Sequence, residues 1–166
     1  MLRQINDNLD KSIKMRTVKN ILDKKSKVFN NITPDTLVID ALNMLNSVNL
    51  SYLTVIQGDE YKGIFSERDY SRNVILKGRA SNSTSVKEVM TTDLPVVTLT
   101  DTVEQCMHAM NAHKTRYLLA YDANNKFVGV ITIHDLLRQV IADKADVFDS
   151  NLAQQLIDND ENGGIY

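Results

Sequence analysis

The sequence repeats itself, and this repeat constrains the fold more than any other feature. The segment 17–22 recurs as 85–90, 38–42 recurs as 103–107, and 63–69 recurs as 129–135. Corresponding residues are 68, 65 and 66 positions apart in these three blocks, so the copies differ only by short changes in loop length. A chain of two similar units must fold each copy alike and cover the faces that one copy leaves open.

Hydrophobic periodicity predicts the same order of elements in both copies. A short helical turn (17–24; 85–90) precedes an extended segment (28–32; 96–99) and a helix around apolar positions 37–45 or 103–110. Two strands (52–56 and 61–65; 117–121 and 127–131) and a closing helix (66–77; 132–142) follow. We therefore expect an α/β protein of the α+β type, with two β-α-β-β-α repeats packed sheet to sheet around a pseudo-two-fold axis.

The predicted boundaries follow from the repeat and from one polar, turn-rich stretch. The first repeat spans 17–78, the linker 79–84 and the second repeat 85–144. An N-terminal helix (1–16) and an acidic C-terminal helix with its tail (145–166) flank them. A single amphipathic helix cannot bury its apolar stripe alone, so we expect both to dock on the repeats or on a second copy of the chain.

Composition and charge limit the classes of partner. Among 166 residues, 43% are hydrophobic and 24% charged, as in ordinary globular proteins. The net charge of −2 is not the basic footprint of a nucleic-acid binder. The sequence has neither a signal-like apolar segment at its start nor an apolar run long enough for a membrane span. These features predict a cytoplasmic protein without nucleic-acid or membrane partners.

The charge is concentrated at the two ends. Residues 1–28 hold eight Lys or Arg against three Asp, and residues 145–166 hold five acids and no Lys or Arg. These ends are either separately solvated or in contact with each other, within one chain or across a homodimer.

The sequence does not predict an enzyme, a catalytic cofactor or a metal site. No cluster of His, Cys and carboxylates has metal-ligand spacing, and no nucleophile is paired with a base. The single cysteine, Cys106, lies at helical spacing from Val103, Met107 and Met110. This pattern predicts a buried structural thiol rather than a reactive one.

Both repeats contain a strand-to-helix corner with a hydroxyl and an acid in the same register. We call the segment 63–69, with Ser66 and Asp69, the first corner, and 129–135, with Thr132 and Asp135, the second corner. Ser/Thr-x-x-acid before a helix is a capping box and needs no ligand. Alternatively, the helix N-terminus and hydroxyl can bind a phosphate while the carboxylate binds the diol of a ribose.

Nearby cations favour phosphate at these corners. Arg68 follows the first cap and can grip phosphate with two nitrogens, whereas its counterpart His134 is a weaker clamp when neutral. We therefore predict that the two corners differ in affinity or in preferred ligand. Lys114 and Arg116 precede the second hairpin. They either bind phosphate or form a solvated helix end that the helix dipole favours.

The two Gly-x-x-Ser/Thr-x-x-Asp segments, each following a Val-x-x-Ala/Cys-Leu/Met helix, resemble the CBS-domain family. Over residues 17–142 the chain resembles a tandem pair, or Bateman module, like the small stand-alone bacterial members. The resemblance implies an adenosyl ligand (AMP, ADP, ATP or NAD) and no enzymatic activity. It also implies three groups of site residues: Asp69 and Asp135 for ribose; Ser66, Arg68, Thr132, His134, Lys114 and Arg116 for phosphate; and Val28, Val96, Val97 and Thr92, with Thr91 nearby, for adenine.

Two functions remain from this reasoning. The first is a sensor that binds a nucleotide in the cleft between the repeats and signals, by a change of conformation or assembly, to an effector protein. In such pairs two modules commonly associate as a homodimer. The alternative is a protein-interaction adaptor that has capping boxes and binds no nucleotide.

Overall fold

The computed structural model describes residues 16–25, 30–48, 50–143 and 150–161. Helical and extended elements alternate as the repeat predicts. The elements up to the first corner are α1 (Val18–Lys24), β1 (Asn31–Ile32), α2 (Val38–Val48), β2 (Tyr52–Gln57), β3 (Glu60–Ser66) and α3 (Glu67–Asp69). The remaining elements are β4 (Val96–Thr98), α4 (Val103–His113), β5 (Tyr117–Tyr121), β6 (Phe127–Thr132), α5 (Ile133–Asp143) and α6 (Ser150–Glu161).

The strands form two three-stranded sheets of the same topology. In one sheet β1 pairs parallel with β2, and β2 pairs antiparallel with β3. In the other, β4 pairs parallel with β5, and β5 pairs antiparallel with β6. The parallel pairs need the crossover helices α2 and α4, whereas short turns join the antiparallel pairs. The prediction of an α+β chain with two β-α-β-β-α repeats is confirmed.

The compact units of the structure differ from the sequence repeats in where the leading helical turns pack. One unit contains described residues 30–94 and 150–161, and the other contains 16–25 and 95–143. Val18 and Ile21 of α1 are buried in the core of the unit that holds the second corner. Val86 and Val89 are buried in the core of the unit that holds the first corner. Each leading turn therefore packs into the core of the other copy. The turn of the first copy lies in the core of the second, and the turn of the second copy lies in the core of the first.

The stretch predicted as a linker, 79–84, lies inside the unit that holds the first corner. The amide nitrogen of Val38 donates to the carbonyl of Thr84 (2.9 Å), and that of Ile39 donates to the carbonyl of Ser81 (3.0 Å). These carbonyls satisfy N–H groups that have no partner within the first turn of α2. The division between the units falls at Leu94 and Pro95, further along the chain than the sequence predicts.

The two closing helices also differ. The second, α5, is a regular helix of 11 residues, as predicted. The first continues from α3 as a π-helical segment (Tyr70–Val74) and a 3₁₀ turn (Ile75–Lys77). The amide of Ile75 donates to the carbonyls of both Ser71 and Tyr70, which is the sign of a widened turn. Gly78, at φ +65°, then ends the segment in the left-handed conformation that glycine adopts without strain.

The C-terminal acidic stretch is helical over Ser150–Glu161. Ile157 is buried in this helix, whereas the neighbouring Leu156 is 63% exposed. The predicted N-terminal helix falls almost entirely outside the described residues. None of the described helices has both the length and the apolar character required to cross a membrane.

Candidate functional site

In the first corner the carboxylate of Asp69 is buried and fully engaged by neutral donors. Its Oδ2 accepts hydrogen bonds from the backbone N and the Oγ of Ser66, both at 2.8 Å. Its Oδ1 accepts a hydrogen bond from the hydroxyl of Thr91 at 2.6 Å. The amide of Asp69 donates in return to Ser66 Oγ, completing the capping box. The corner thus presents a 5% exposed carboxylate bordered by two hydroxyl groups.

In the second corner an equally buried carboxylate is paired with a cation. Asp135 Oδ2 accepts from the backbone N of Thr132 (2.9 Å) and from the ammonium of Lys25 (2.8 Å). Arg138 lies 3.6 Å from the other oxygen, Oδ1. The amide of Asp135 donates to Thr132 Oγ1, so the capping geometry is the same as in the first corner. The two corners therefore share their geometry and differ in the charge that faces the acid.

Gly63 allows Thr91 to reach the first corner. Ile64 and Thr91 pair as an isolated β-bridge, with amide-to-carbonyl distances of 3.0 and 2.9 Å. A Cβ atom on Gly63 would lie 2.7 Å from the carbonyl oxygen of Thr91 and 2.9 Å from the sulfur of Met90. Because the nearest atom belongs to the backbone, only glycine leaves room for this bridge and for the hydroxyl that it positions.

The predicted phosphate-binding cations lie at different depths around the corners. Arg68 is exposed on the turn after Ser66, and His134 is half-buried after Thr132. Lys114 and Arg116 are exposed. The carbonyl of Arg116 accepts a hydrogen bond from the amide of Ile133 at 3.0 Å, which brings its backbone to the second corner. Their roles toward phosphate stay predictions.

The residues predicted around adenine differ in burial, and their role toward adenine stays a prediction. Val97 is 5% exposed and belongs to a hydrophobic core, whereas the neighbouring Val96 is 59% exposed, as expected from alternation along β4. Thr92 is exposed and precedes the division between the units, whereas Val96 and Val97 follow it. Val28 lies outside the described residues. Sequence reasoning selected Thr92, but its neighbour Thr91 bonds to Asp69.

Sequence reasoning did not assign a role to Lys25, although it counted this residue in the basic N-terminal stretch. Lys25 and Asp135 are 110 residues apart, so no local spacing could relate them. The sequence holds one related signal. The segment 17–22 recurs as 85–90, directly before Thr91, so the residues that follow α1 correspond to residues near Asp69.

Cys106 is buried, as predicted, and this burial raises the pKa of its thiol to about 11, with a smaller contribution from Asp101. The thiol therefore stays protonated at neutral pH. Within the described ranges, no three His, Cys, Asp or Glu side chains are grouped so that they could hold a metal ion.

Comparison with known proteins identifies the family. A family model described as CBS domain matches residues 86–142. A CBS-domain protein from Burkholderia ambifaria is 36% identical, and its crystal structure superposes with a TM-score of 0.71 over 77% of this chain and 96% of that one. The CBS domain-containing protein YhcV of Bacillus subtilis is 27% identical over 76% of this chain and 89% of its own length. The resemblance to small bacterial CBS proteins is thus confirmed.

A longer relative is also similar. The mitochondrial CBS domain-containing protein CBSX3 of Arabidopsis thaliana is 28% identical over 134 residues. The match covers 75% of this chain, and this chain spans 65% of that protein.

Two more distant structures share the fold and contain nucleotides. CBSX2 in complex with AMP is 24% identical with a TM-score of 0.62. The CBS domain of a bacterial CNNM/CorC family Mg²⁺ transporter in complex with ATP is 13% identical with a TM-score of 0.63. On the similarity to the Burkholderia protein, which extends over almost all of that chain, this protein belongs to the CBS-domain family.

Proposed function

We propose that this protein is a non-catalytic sensor of an adenosyl nucleotide of the AMP, ADP, ATP or NAD class. The observation that carries the proposal is the pair of buried carboxylates, Asp69 and Asp135, each beside a Ser or Thr at a strand-to-helix corner. A carboxylate accepts the two hydrogen bonds of a ribose diol, and an adjacent hydroxyl donates to phosphate. The AMP and ATP held by two CBS relatives support this class of ligand.

Helix capping alone does not account for these acids. Glu88 caps the turn after Ser85 with nearly the same bonds as Asp69, accepting from Ser85 N at 2.8 Å and Ser85 Oγ at 2.9 Å. Glu88 is nevertheless exposed, as is usual for an acid. Asp69 and Asp135 are both buried, and each is bonded by a side chain distant in sequence, Thr91 or Lys25. Burial of an acid with a remote partner favours a binding role.

In this proposal the nucleotide acts by shifting an equilibrium. A ligand changes the population of two states only if it binds them with different affinity. We propose that the favoured state is recognised by an effector protein, and that the sensor works in the cytoplasm as a homodimer. Leu137 and Val140, on α5 and exposed by 40% and 37%, are apolar groups that a second copy could cover. Light scattering on the purified protein measures this assembly with and without nucleotide.

Calorimetric titration with AMP, ADP, ATP and NAD tests the proposal. At least one nucleotide should bind, and the double variant Asp69→Ala/Asp135→Ala should lose that binding. Its matched control is Glu88→Ala/Gln105→Ala, which removes two capping partners away from the corners. A ligand at 100 times its Kd should also raise the free energy of unfolding by about 2.7 kcal/mol. Equal affinity in the corner and control variants contradicts the assignment of the site.

The second candidate function is a protein-interaction adaptor without a nucleotide. It is favoured by the capping bonds, which give each acid a structural role that needs no ligand. It is also favoured by Ile75 and Leu76, exposed by 57% and 77% at the end of the first closing helix. Failure of all four nucleotides to bind or to stabilise the protein would support the adaptor.

A further inference from the structure

The ion pair between Lys25 and Asp135 has no counterpart in the first corner among the residues that the structure describes. Lys25 Nζ contacts Asp135 Oδ2 at 2.8 Å and the carbonyl of Val130 at 2.9 Å, so it bridges strand β6 and helix α5. The Lys25 side chain is 27% exposed and that of Asp135 is 6% exposed. The ammonium therefore occupies one oxygen of the acid to which the proposed function assigns the ribose, in a place partly shielded from water.

The first corner has only neutral donors on its acid. Asp69 accepts from Ser66 and Thr91, and in the described part of the chain no cationic side chain forms an ion pair with it. Arg72 stands three residues after Asp69, as Arg138 stands after Asp135, but Arg72 is exposed and Arg138 half-buried. Arg72 lies in the π-helical segment that begins at Tyr70, whereas Arg138 lies in the regular helix α5.

We propose that Lys25 determines the specificity of the second corner: its ammonium competes with ribose for Asp135, so that this corner accepts phosphorylated nucleosides and rejects uncharged ones. The inference rests on the proposed function. A neutral nucleoside must separate this partly shielded ion pair and supplies no anion in place of the Asp135 carboxylate, which is costly. A nucleotide brings its own anion, to which the ammonium turns when the ribose takes the carboxylate. In the first corner the donor is the neutral hydroxyl of Thr91, so a ribose that displaces it does not have to bring an anion.

Single-corner variants isolate the effect. Asp69→Ala leaves only the second corner, and calorimetry then measures the ratio of adenosine Kd to AMP Kd there. Adding Lys25→Met should tighten adenosine binding and lower this ratio at least tenfold, and Lys25→Arg, which keeps the cation, should preserve the ratio. Lys24→Met is the matched control, because Lys24 is exposed and adjacent in sequence.

The opposite background completes the test. In Asp135→Ala only the first corner remains, and Lys25→Met should leave its adenosine-to-AMP ratio unchanged. If AMP binds to Asp69→Ala and Lys25→Met changes both affinities by the same factor, the inference is overturned and the proposed function stands. If none of AMP, ADP, ATP and NAD binds to the single-corner variants or to the unmodified protein, both are overturned. A fall of the adenosine-to-AMP ratio of Kd values with Lys24→Met, as large as that expected for Lys25→Met, also contradicts a specific role for Lys25.

Discussion

The two corners of this protein have the same motif and different electrostatics. In both, a buried aspartate closes a capping box with a Ser or Thr three residues earlier. In the first corner the remaining oxygen accepts from the Thr91 hydroxyl, whereas in the second the aspartate is paired with Lys25. A repeated motif therefore conserves local geometry, while the side chains supplied by distant segments set the charge of each corner.

The helices that follow the two corners also differ, both in regularity and in the exposure of the arginine that each contains. The first changes from α to π to 3₁₀ within eleven residues, and the second is a continuous α-helix. This difference leaves Arg72 exposed and places Arg138 beside Asp135. Two cations therefore lie beside the acid of the second corner, and none of the described cations forms an ion pair with the acid of the first. That the corners differ in affinity or in preferred ligand stays a prediction.

The largest expected effect comes from filling the space beside the first corner. Gly63→Ala should lower the free energy of unfolding by about 3 kcal/mol, because its Cβ would collide with a backbone oxygen at 2.7 Å. Urea unfolding measures this loss. Gly58→Asn is the control, since Gly58 has open space around it and Asn tolerates its φ of +62°. Equal stability of the two variants would mean that the Ile64–Thr91 bridge yields easily.

A second prediction compares the two acids directly. Asp135→Asn should cost about 2 kcal/mol of stability, because Lys25 keeps its charge in a half-buried place and loses the carboxylate with which it forms an ion pair. Asp69→Asn should cost about 1 kcal/mol, because Thr91 and Ser66 can bond to an amide as well. Adding Lys25→Met to Asp135→Asn should recover part of the loss. Equal costs for the two Asn variants would show that the ion pair contributes little.

A third prediction concerns a core position at which the two repeats have different residues. Cys106 and Ala41 occupy corresponding positions, and both are completely buried. Cys106→Ala should lower the free energy of unfolding at pH 7 by about 1 kcal/mol, through loss of the buried sulfur. The folded pKa of about 11 exceeds the ordinary value of 9.0, so the folded state holds its thiol proton where the unfolded state has lost it.

The sign follows from this difference in pKa. Stability from the protonated thiol is complete below pH 9 and is lost as the pH rises from 9 toward 11. The advantage of the unmodified protein over Cys106→Ala should therefore shrink above pH 9, by up to about 1.4 kcal/mol per pH unit. Unfolding curves at pH 7, 9 and 10 measure it. A constant difference across these pH values contradicts the shifted pKa.

The smallest expected effect concerns the end of helix α4. Lys114 adopts the left-handed conformation at φ 51°, which strains a residue with a Cβ atom. Lys114→Gly should raise the free energy of unfolding by about 0.5–1 kcal/mol, as thermal unfolding would show. Lys126→Gly, at an exposed position without positive φ, should instead be neutral or destabilising. A loss of stability in Lys114→Gly would show that this backbone is not strained.

By itself, the sequence determined the repeated fold and the local geometry of the corners. Helical and strand periodicity placed every long element, because the pattern of apolar residues on one face is a local property. The Ser-x-x-Asp and Thr-x-x-Asp spacings likewise placed each acid on its cap. Within the described ranges, the closing helix of the first repeat is the element that departs from the expected regular form.

Tertiary structure alone decided which distant side chain meets each acid. It packed α1 and the 86–88 turn into units that the repeat boundaries did not predict, and so brought Lys25 to Asp135 and Thr91 to Asp69. The physical reason is that a hydrogen bond between residues 110 apart depends on how whole elements bury their apolar faces. The spacing of Lys25 and Asp135 along the chain, or of Thr91 and Asp69, therefore does not indicate that they meet.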